Sequence, residues 1–497
     1  MHRPRKAMHP VRRRHAPHLP VTWYAACFGP QAMARSRPLP MFPARLDVPQ
    51  EVLAAHAQPG PRYTSYPPAT QFHPGFGAAD AARELAAIGD GEPLSLYAHI
   101  PFCTRLCWYC GCNVEATRDR SKGTAYVDVL LDELALVAGA TGGRPRLVEL
   151  ALGGGSPNFL EVADTARLVD ALGRHFTLDD AAAFGVELDP RDTRPAQIDA
   201  LAGLGFTRVS VGVQDFDPAV QRAIHREQSA AQTRAVIERA RGSGFTSVNV
   251  DLVYGLPGQT PDGIGKTLDE VIALAPDRLA VFGYAHMPHL RPHQRLVERE
   301  LAVPGIPARI ELLRVVMDRL AAAGYVRVGL DHFARPDDPL ARAAASGQLG
   351  RNFQGYVIER ATRLVGIGAS AISDVGRAYW QNHVEVEPWT AAVRAGALPV
   401  ARGVALDADD EQRRFVIMRL MCDGRIDTGE VEARFGPGFA GRFAAELAAL
   451  DAQPELARVD RERGEIVATP LGHHLIRNVA AVFDRYARSG RSGSPSI

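Results

Sequence analysis

Four of the six cysteines, Cys103, Cys107, Cys110 and Cys112, fall within ten residues of a 497-residue chain. A disulfide framework spreads its cysteines through a small secreted domain, whereas a tight cluster in a long chain suits metal binding in a reducing compartment. The spacing Cys103-x3-Cys107-x2-Cys110 puts three thiolates on one short loop. Three thiolates can ligate three irons of a cubane cluster and leave the fourth iron open. An open coordination position separates a reactive metal centre from an electron-transfer one. Two other chemistries use the same residues: a redox dithiol at Cys107-x2-Cys110, and a structural zinc held by the four thiols. Cys110-Gly111-Cys112 is too tight to supply two independent tetrahedral ligands, and no second C-x2-C occurs elsewhere, so the cluster is favoured. Cys27 and Cys422 have no such context and read as inert thiols.

The elements that must position this loop follow a strict alternation. Short apolar runs at Leu94–Ile100, Leu147–Leu152, Phe184–Leu188, Arg208–Val213, Val248–Val253 and Leu279–Tyr284 read as strands buried on both faces. Helical stretches lie between them at Thr124–Ala138, Ala163–Phe176, Pro195–Leu204, Ala230–Gly242 and Asp262–Leu274. Repeated βα units imply right-handed crossovers and a parallel sheet. Six units are too few for an eight-stranded barrel. The expected fold is therefore α/β: a partial six-stranded (β/α)6 parallel barrel, favoured over a doubly wound sheet. The cysteine loop then sits at the C-terminal end of the first strand, on the face where such barrels carry their sites. The other strand ends supply Gly153-Gly154-Gly155-Ser156, Glu187-Leu188-Asp189, Gln214-Asp215, Asp251 and Tyr284-Ala285-His286. Taken singly, each is an ordinary capped strand end. Together they put polar groups around one mouth.

A last helix (Ala308–Ala322) and strand (Tyr325–Leu330) lead into a loop-rich active-site region, residues 331–400. Residues 401–497 read as a mainly helical domain with a hairpin at Leu456–Ala468 centred on Arg463-Gly464, a winged-helix-like pattern. From Val404 onward there are 13 basic residues against 15 acidic ones, which argues against a nucleic-acid footprint. The whole chain has 57 Lys and Arg against 56 Asp and Glu, a net charge of +1, and offers no field for nucleic acid or an anionic membrane. Apolar residues make up 46% and charged residues 23%, so bulk disorder is excluded. No uncharged apolar run is long enough to span a membrane. Before Asp47 there is no acidic residue, while nine arginines and lysines from Arg3 to Arg45 are present. A secretory signal ending at Ala32-Met33-Ala34 and an organellar transit peptide both match parts of this stretch. Residues 1–45 are read instead as a disordered basic extension, with Met41 as an alternative start, and residues 46–93 as an N-terminal segment covering the active site.

The cysteine loop resembles the signature of the radical S-adenosylmethionine superfamily. Within it the chain is similar to the oxygen-independent coproporphyrinogen III oxidase (coproporphyrinogen III dehydrogenase) family over roughly four-fifths of its length. The segments that carry the likeness are Arg62-Tyr-Thr-Ser-Tyr-Pro67, Cys110-Gly-Cys-Asn113, Gly212-Val-Gln-Asp-Phe216, Arg226-Glu-Gln228, Asp331-His-Phe-Ala-Arg-Pro-Asp-Asp338 and Arg351-Asn-Phe-Gln-Gly-Tyr356. The resemblance implies a [4Fe-4S] cluster on Cys103, Cys107 and Cys110, with Cys112 outside the ligand set and of unassigned role. It implies two S-adenosylmethionine molecules: one against Tyr97, Gly154, Glu187 and Ile372, the other against Tyr109, Gly155, Ser156, Gln214, Arg226, Asp251 and Ala285. Tyr109 and Ser156 replace the family's Phe and Thr, and Gly283 stands where Asn is usual. The implied reaction turns two propionates of coproporphyrinogen III into vinyl groups through a 5′-deoxyadenosyl radical, yielding protoporphyrinogen IX in haem biosynthesis. A monomeric cytoplasmic enzyme with a separate electron donor and acceptor is expected. Four carboxylates on the substrate call for guanidinium anchors, and Arg62, Arg335 and Arg351 are the candidates.

Two relatives of other function share the cysteine triad. A haem chaperone typically follows it with Asp-Phe and lacks the Arg-Tyr-Thr-Ser-Tyr-Pro segment; this chain has Gly111-Cys112-Asn113 and keeps that segment. A haem-cleaving methyltransferase is the third reading.

Overall fold

The computed structural model describes residues 42–57, 60–299, 301–358 and 363–487. Most of the basic extension, and Cys27 with it, lies outside them. The extension's end does not: Phe42 is buried against the His473 ring at 4.8 Å, so the packed chain starts inside the stretch assigned as disordered, and Leu46 just beyond it is buried too.

Two short helices, α1 (Gln50–His56) and α2 (Ala78–Ala86), precede β1 (Pro93–Ile100). The cysteine loop follows, bracketed by the two-residue parallel strands β2 (Phe102–Cys103) and β3 (Glu115–Ala116). The chain then alternates through α3 (Ser121–Ala140), β4 (Arg146–Gly154), α4 (Val162–His175), β5 (Thr177–Leu188), α5 (Pro195–Gly203) and β6 (Phe206–Gln214). An extra short helix, α6 (Pro218–Ala223), comes before α7 (Ala230–Ser243), β7 (Ser247–Tyr254), α8 (Pro261–Ala273) and β8 (Arg278–Gly283). All six expected strands are present, and β1-β4-β5-β6-β7-β8 are parallel neighbours in that order. The helix boundaries follow local chemistry. Ser229 caps α7 by accepting from Gln232 N, Gly244 ends it in the left-handed region at φ 103°, and Thr260 caps α8 ahead of Pro261.

The sheet extends beyond the six. After α9 (Ile306–Ala322) come β9 (Val326–Val328) and β10 (His332–Ala334); β10 adds antiparallel to β8 and β9 antiparallel to β10. The region assigned as loop-rich contains α10 (Pro339–Ser346), the hairpin β11 (Leu349–Asn352) and β12 (Gly355–Ile358), and then β13 (Leu364–Ile367), β14 (Ile372–Asp374) and β15 (Ala378–Asn382). α11 (Val386–Arg394) and β16 (Val400–Ala405) follow. β13 pairs parallel with β1, and β14 to β16 continue antiparallel, giving one mixed twelve-stranded sheet. Runs of three to five residues carry too little periodicity to be read as strands, which is why this region looked irregular. The last part holds α12 (Ala408–Asp423), a three-stranded antiparallel sheet of β17 (Arg425–Asp427), β18 (Ala457–Asp460) and β19 (Glu465–Ala468), and short helices through Ala481. The expected hairpin is β18–β19, with Arg463-Gly464 in its turn.

The strands are not apolar on both faces. Leu94, Leu96, Ala98 and Ile100 alternate with Ser95, Tyr97 and His99, and the second set belongs to a polar face. On that face Ser95 donates to Glu149 at 3.3 Å, Arg208 pairs with Glu149, and Ser210 and Asn249 both donate to Asp251 at 2.7 Å. The opposite face packs Leu150, Leu152, Val209, Val211, Val248 and Val250 under the helices.

One buried carboxylate ties the β13 edge together. Glu133 on α3 accepts from Gly368 N at 2.7 Å, Asn382 Nδ2 at 2.6 Å and Trp389 Nε1 at 2.9 Å. Burial pushes its carboxyl from 4.5 up to about 7 against these three donors. The folded state therefore holds a proton that the unfolded chain has released, and this contribution to stability falls as pH rises from about 4.5 to about 7. Relative to Glu133→Gln, the wild type should lose about 3 kcal/mol across that window and run parallel above it. Denaturant curves at stepped pH measure this, and parallel curves throughout would sink it. Among the described residues, no helix is long and apolar enough to cross a membrane.

Candidate functional site

The cysteine loop leaves β1 at its C-terminal end, and its three spaced thiols are braced from several elements. Trp108 N donates to Ile224 O, His225 bonds Leu106 O and stacks on Trp108, and Gln294 and His293 hold the carbonyls of Tyr109 and Cys110 at 2.8 Å. His99 bridges Tyr97 Oη at 3.1 Å and Asn113 O at 3.0 Å, so both its nitrogens are engaged within the protein. Cys103, Cys107, Cys110 and Cys112 are all free thiols. Cys103 Sγ lies 3.5 Å from Ser156 Oγ, and Cys112 N lies 3.4 Å from Cys110 Sγ. Burial pushes the Cys103 thiol up to about 12, while its hydrogen bond with Cys112 brings Cys110 down to about 7.

The donor set suits a cluster. Among the described residues, no three His, Cys, Asp or Glu side chains converge on one metal ion. A cubane needs no such convergence, because it takes one thiolate per iron. Around Cys107 the surroundings are cationic. Arg191 Nη2 lies 3.3 Å and Arg226 Nη1 3.6 Å from its sulfur, and both guanidiniums pair with Asp189. Arg191 Nη1 and Arg226 Nε are buried with no partner among the described residues, as donors facing a missing acceptor would be. Burial raises the Asp189 carboxyl, but the Arg226 charge and the bonds from Arg191 override it and hold the group well below the usual carboxylate range. Arg191 was not anticipated. A lone Arg three residues past a strand end carries no sequence signal.

The glycine run makes room for its neighbours. A Cβ on Gly153 would lie 2.7 Å from Glu187 Oε1, on Gly154 2.4 Å from the His99 ring, and on Gly155 2.6 Å from Phe102 O. The glycines thus let Glu187, His99 and the cysteine loop close onto β4, with Gly154 N donating to Glu187 at 3.2 Å. Gly154 also has φ 109°, where other residues are strained. Gly154→Ala should lower stability by at least about 2 kcal/mol, read by denaturant melts; an unchanged melt would refute the close approach.

The other expected positions gather at the same end. Glu187 is raised to about 7 by burial and then by the Asp251 charge. Asp251 sits level with Gly212 and Ala280 on its two neighbouring strands. Gln214 ends β6 at φ 70°, Arg226 Nη2 donates to Gly212 O at 2.6 Å, and Ala285 O accepts from Gln294 at 3.3 Å. Ile372 starts β14, beside β13 and hence one strand removed from β1. The Gly283 departure has a physical reason. A Cβ there would lie 3.0 Å from both Arg309 Nη2 and Tyr254 Oη, and Arg309 uses that room to donate to Tyr284 O at 2.7 Å.

Of the three arginines expected to hold substrate, two come together and one does not. Arg62 pairs with Asp331 and lies over the Phe282 ring at 5.6 Å, near the C-terminal end of β8. Arg351 donates to Arg62 O at 3.0 Å and stacks on Tyr356 at 4.4 Å, and its buried Nη1 has no partner among the described residues. Arg335 is exposed, and its N–H donates to Asp277 O at the start of β8, about 17 Å down the strand from the mouth. Because β10 runs antiparallel to β8, the Asp331–Asp338 segment enters beside the site and leaves it. Its head supplies a missed group: His332 is buried on the polar face, its Nδ1 2.7 Å from Asp331 Oδ1 and its ring edge-on to Phe282 and Tyr356.

A model of the Radical SAM superfamily matches residues 97–271. The chain is 43% identical over 439 residues to the oxygen-independent coproporphyrinogen III oxidase of Pseudomonas aeruginosa, covering 86% of this chain and 94% of that one. The protein of the same name from Escherichia coli is 42% identical over 429 residues, covering 86% and 93%. A solved structure, the coproporphyrinogen III oxidase HemN from Escherichia coli described as a radical SAM enzyme, superposes with TM-score 0.83 at 40% identity over 89% of this chain and 100% of that one.

Proposed function

Because the chain belongs to the oxygen-independent coproporphyrinogen III oxidase family of the radical SAM superfamily, we propose that it oxidatively decarboxylates two propionates of coproporphyrinogen III to vinyl groups, giving protoporphyrinogen IX. One observation carries the reading: the cysteine loop, the polar strand ends and the Arg62–Arg351 pair share one end of a single sheet. Cys103, Cys107 and Cys110 would hold the cluster. Tyr97, Gly154, Glu187 and Ile372 would seat one S-adenosylmethionine, and Tyr109, Gly155, Ser156, Gln214, Arg226, Asp251 and Ala285 a second. When bound, these groups would supply the one-electron reduction and the hydrogen abstraction at the propionate β-carbon that the decarboxylation to a vinyl group needs.

The chain's own residues bind, orient and exclude. The propionate must stay ionised to leave as CO2, so a guanidinium suits it better than an acid would. Arg351 Nη1 offers a buried free donor for it, and Arg62 stands beside it. Residues 60–76 strap this end: Arg477 holds Pro61 O at 2.9 Å, Tyr63 donates to Asp484 at 3.0 Å, and Phe72 and Phe76 are buried. That cover would keep water and oxygen from a radical. We take the parallel strands to form a partial barrel, and residues 401–487 to be a winged-helix-like cover with no nucleic-acid role. A monomer in the reducing cytoplasm, served by an external electron donor and acceptor, completes the reading.

The test is anaerobic incubation of cluster-reconstituted protein with reductant, S-adenosylmethionine and coproporphyrinogen III, read by mass spectrometry. Two CO2 lost per porphyrinogen with 5′-deoxyadenosine formed is the expected result. 5′-Deoxyadenosine without decarboxylation would remove the substrate, and stable stoichiometric haem binding without turnover would favour a chaperone.

A further inference from the structure

We propose that Arg191 is a positioning residue for Cys107: it holds the sulfur by an N–H···S bond and raises the reduction potential of the cluster that sulfur carries. The inference rests on the reading of Cys107 as a cluster ligand.

The local backbone is built to deliver it. Beyond β5, Asn158 exchanges hydrogen bonds with both the N–H and the C=O of Asp189, and Thr193 Oγ1 donates to Asp189 O at 2.7 Å. Within that braced turn, Asp189 grips Arg191 as a fork, with Nε 3.0 Å from Oδ1 and Nη2 2.6 Å from Oδ2. The fork fixes the guanidinium plane and leaves Nη2 3.3 Å from Cys107 Sγ. Arg226 completes the group from the far side, with Nη1 3.1 Å from Asp189 Oδ2 and 3.6 Å from the same sulfur.

The charges decide what this group is for. Two guanidiniums and one carboxylate, with side chains only 5–7% exposed, leave one positive charge buried. Such a charge is costly without a partner, and the anion-forming group in contact with both guanidiniums is the Cys107 thiol. As a cluster ligand, that sulfur would be the acceptor that both guanidiniums face. Arg191 Nη1 still has no acceptor among the described residues, and a cluster on Cys107 brings sulfide acceptors to that neighbourhood. A donor and a positive charge at a ligand sulfur favour the reduced cluster, which carries one more negative charge. Arg191 thus eases entry of the electron the chemistry needs, without touching substrate.

The test uses full-length protein loaded to equal iron and sulfide, without substrate, titrated potentiometrically and followed by electron paramagnetic resonance. Arg191→Gln should move the midpoint to a more negative potential, with roughly tenfold less reduced cluster at a fixed poise. Arg191→Lys keeps the charge but loses the planar fork, and should move it less. Arg335→Gln, at the exposed far end, should not move it. If Arg191→Gln fails to hold its cluster, Arg191→Lys decides: a negative shift supports the proposal, and an unmoved midpoint overturns it. An unmoved midpoint in Arg191→Gln at equal loading also overturns it. A wild type that assembles no cluster would instead refute the reading of the cysteine loop, and shows before any variant is made.

Discussion

Replacing Asp189 by Asn should cost the fold about 3–5 kcal/mol and lower the iron the protein retains. Among the described residues, Asp189 is the one carboxylate shared by Arg191 and Arg226, and all three side chains are buried. Asn keeps the shape but removes the charge, so two guanidiniums are left against a single thiol. The alternative, expelling one guanidinium into water, would break the Arg226–Gly212 bond of 2.6 Å and loosen the turn that follows β5. The pH dependence separates this from a packing effect. A carboxylate held below its usual value contributes stability above about pH 4, and that contribution fades as pH falls through the lower folded value. Wild type and variant should therefore differ fully at neutral pH and converge in acid. Denaturant melts across pH with iron quantitation are the measurement, and equal stability at pH 7 would end the argument.

Replacing Arg351 by Ala should raise KM for coproporphyrinogen III about 10- to 100-fold with little change in kcat. The guanidinium is buried, stacked on Tyr356 and bonded to the carbonyls of Arg62 and Tyr63, with one nitrogen left over. A carboxylate bound there is held equally before and during reaction, so the loss falls on binding. Arg351→Lys, which keeps the charge and spares the strap, should recover part of it. Arg335→Ala should leave KM within roughly twofold, since exposed charges far from the chemistry contribute little. Steady-state kinetics on the three variants decide it; equal KM for Arg351→Ala and wild type would remove Arg351 from the substrate site.

The difference between those two arginines shows where sequence reading stops. Both lie in segments that resemble the family, and along the chain nothing separates them. Only the antiparallel pairing of β10 with β8 sends Arg335 to the far end while keeping Asp331 and His332 at the mouth. Pairing direction is set by contacts between residues distant in sequence, so it leaves no local pattern. The parallel seam of β13 against β1 and the Glu133 knot behind it are hidden for the same reason.

What the sequence determined by itself was local. Six apolar runs alternating with capped amphipathic stretches specify the βα order, because each element is stabilised by its own periodicity and its own caps. The three thiols were legible because one loop holds them all, so their spacing is their geometry. The tertiary structure alone decided what surrounds them. Asp189 and Arg191 share the turn after β5 and Arg226 comes from a separate stretch, and the two guanidiniums meet at Cys107 only in the folded chain.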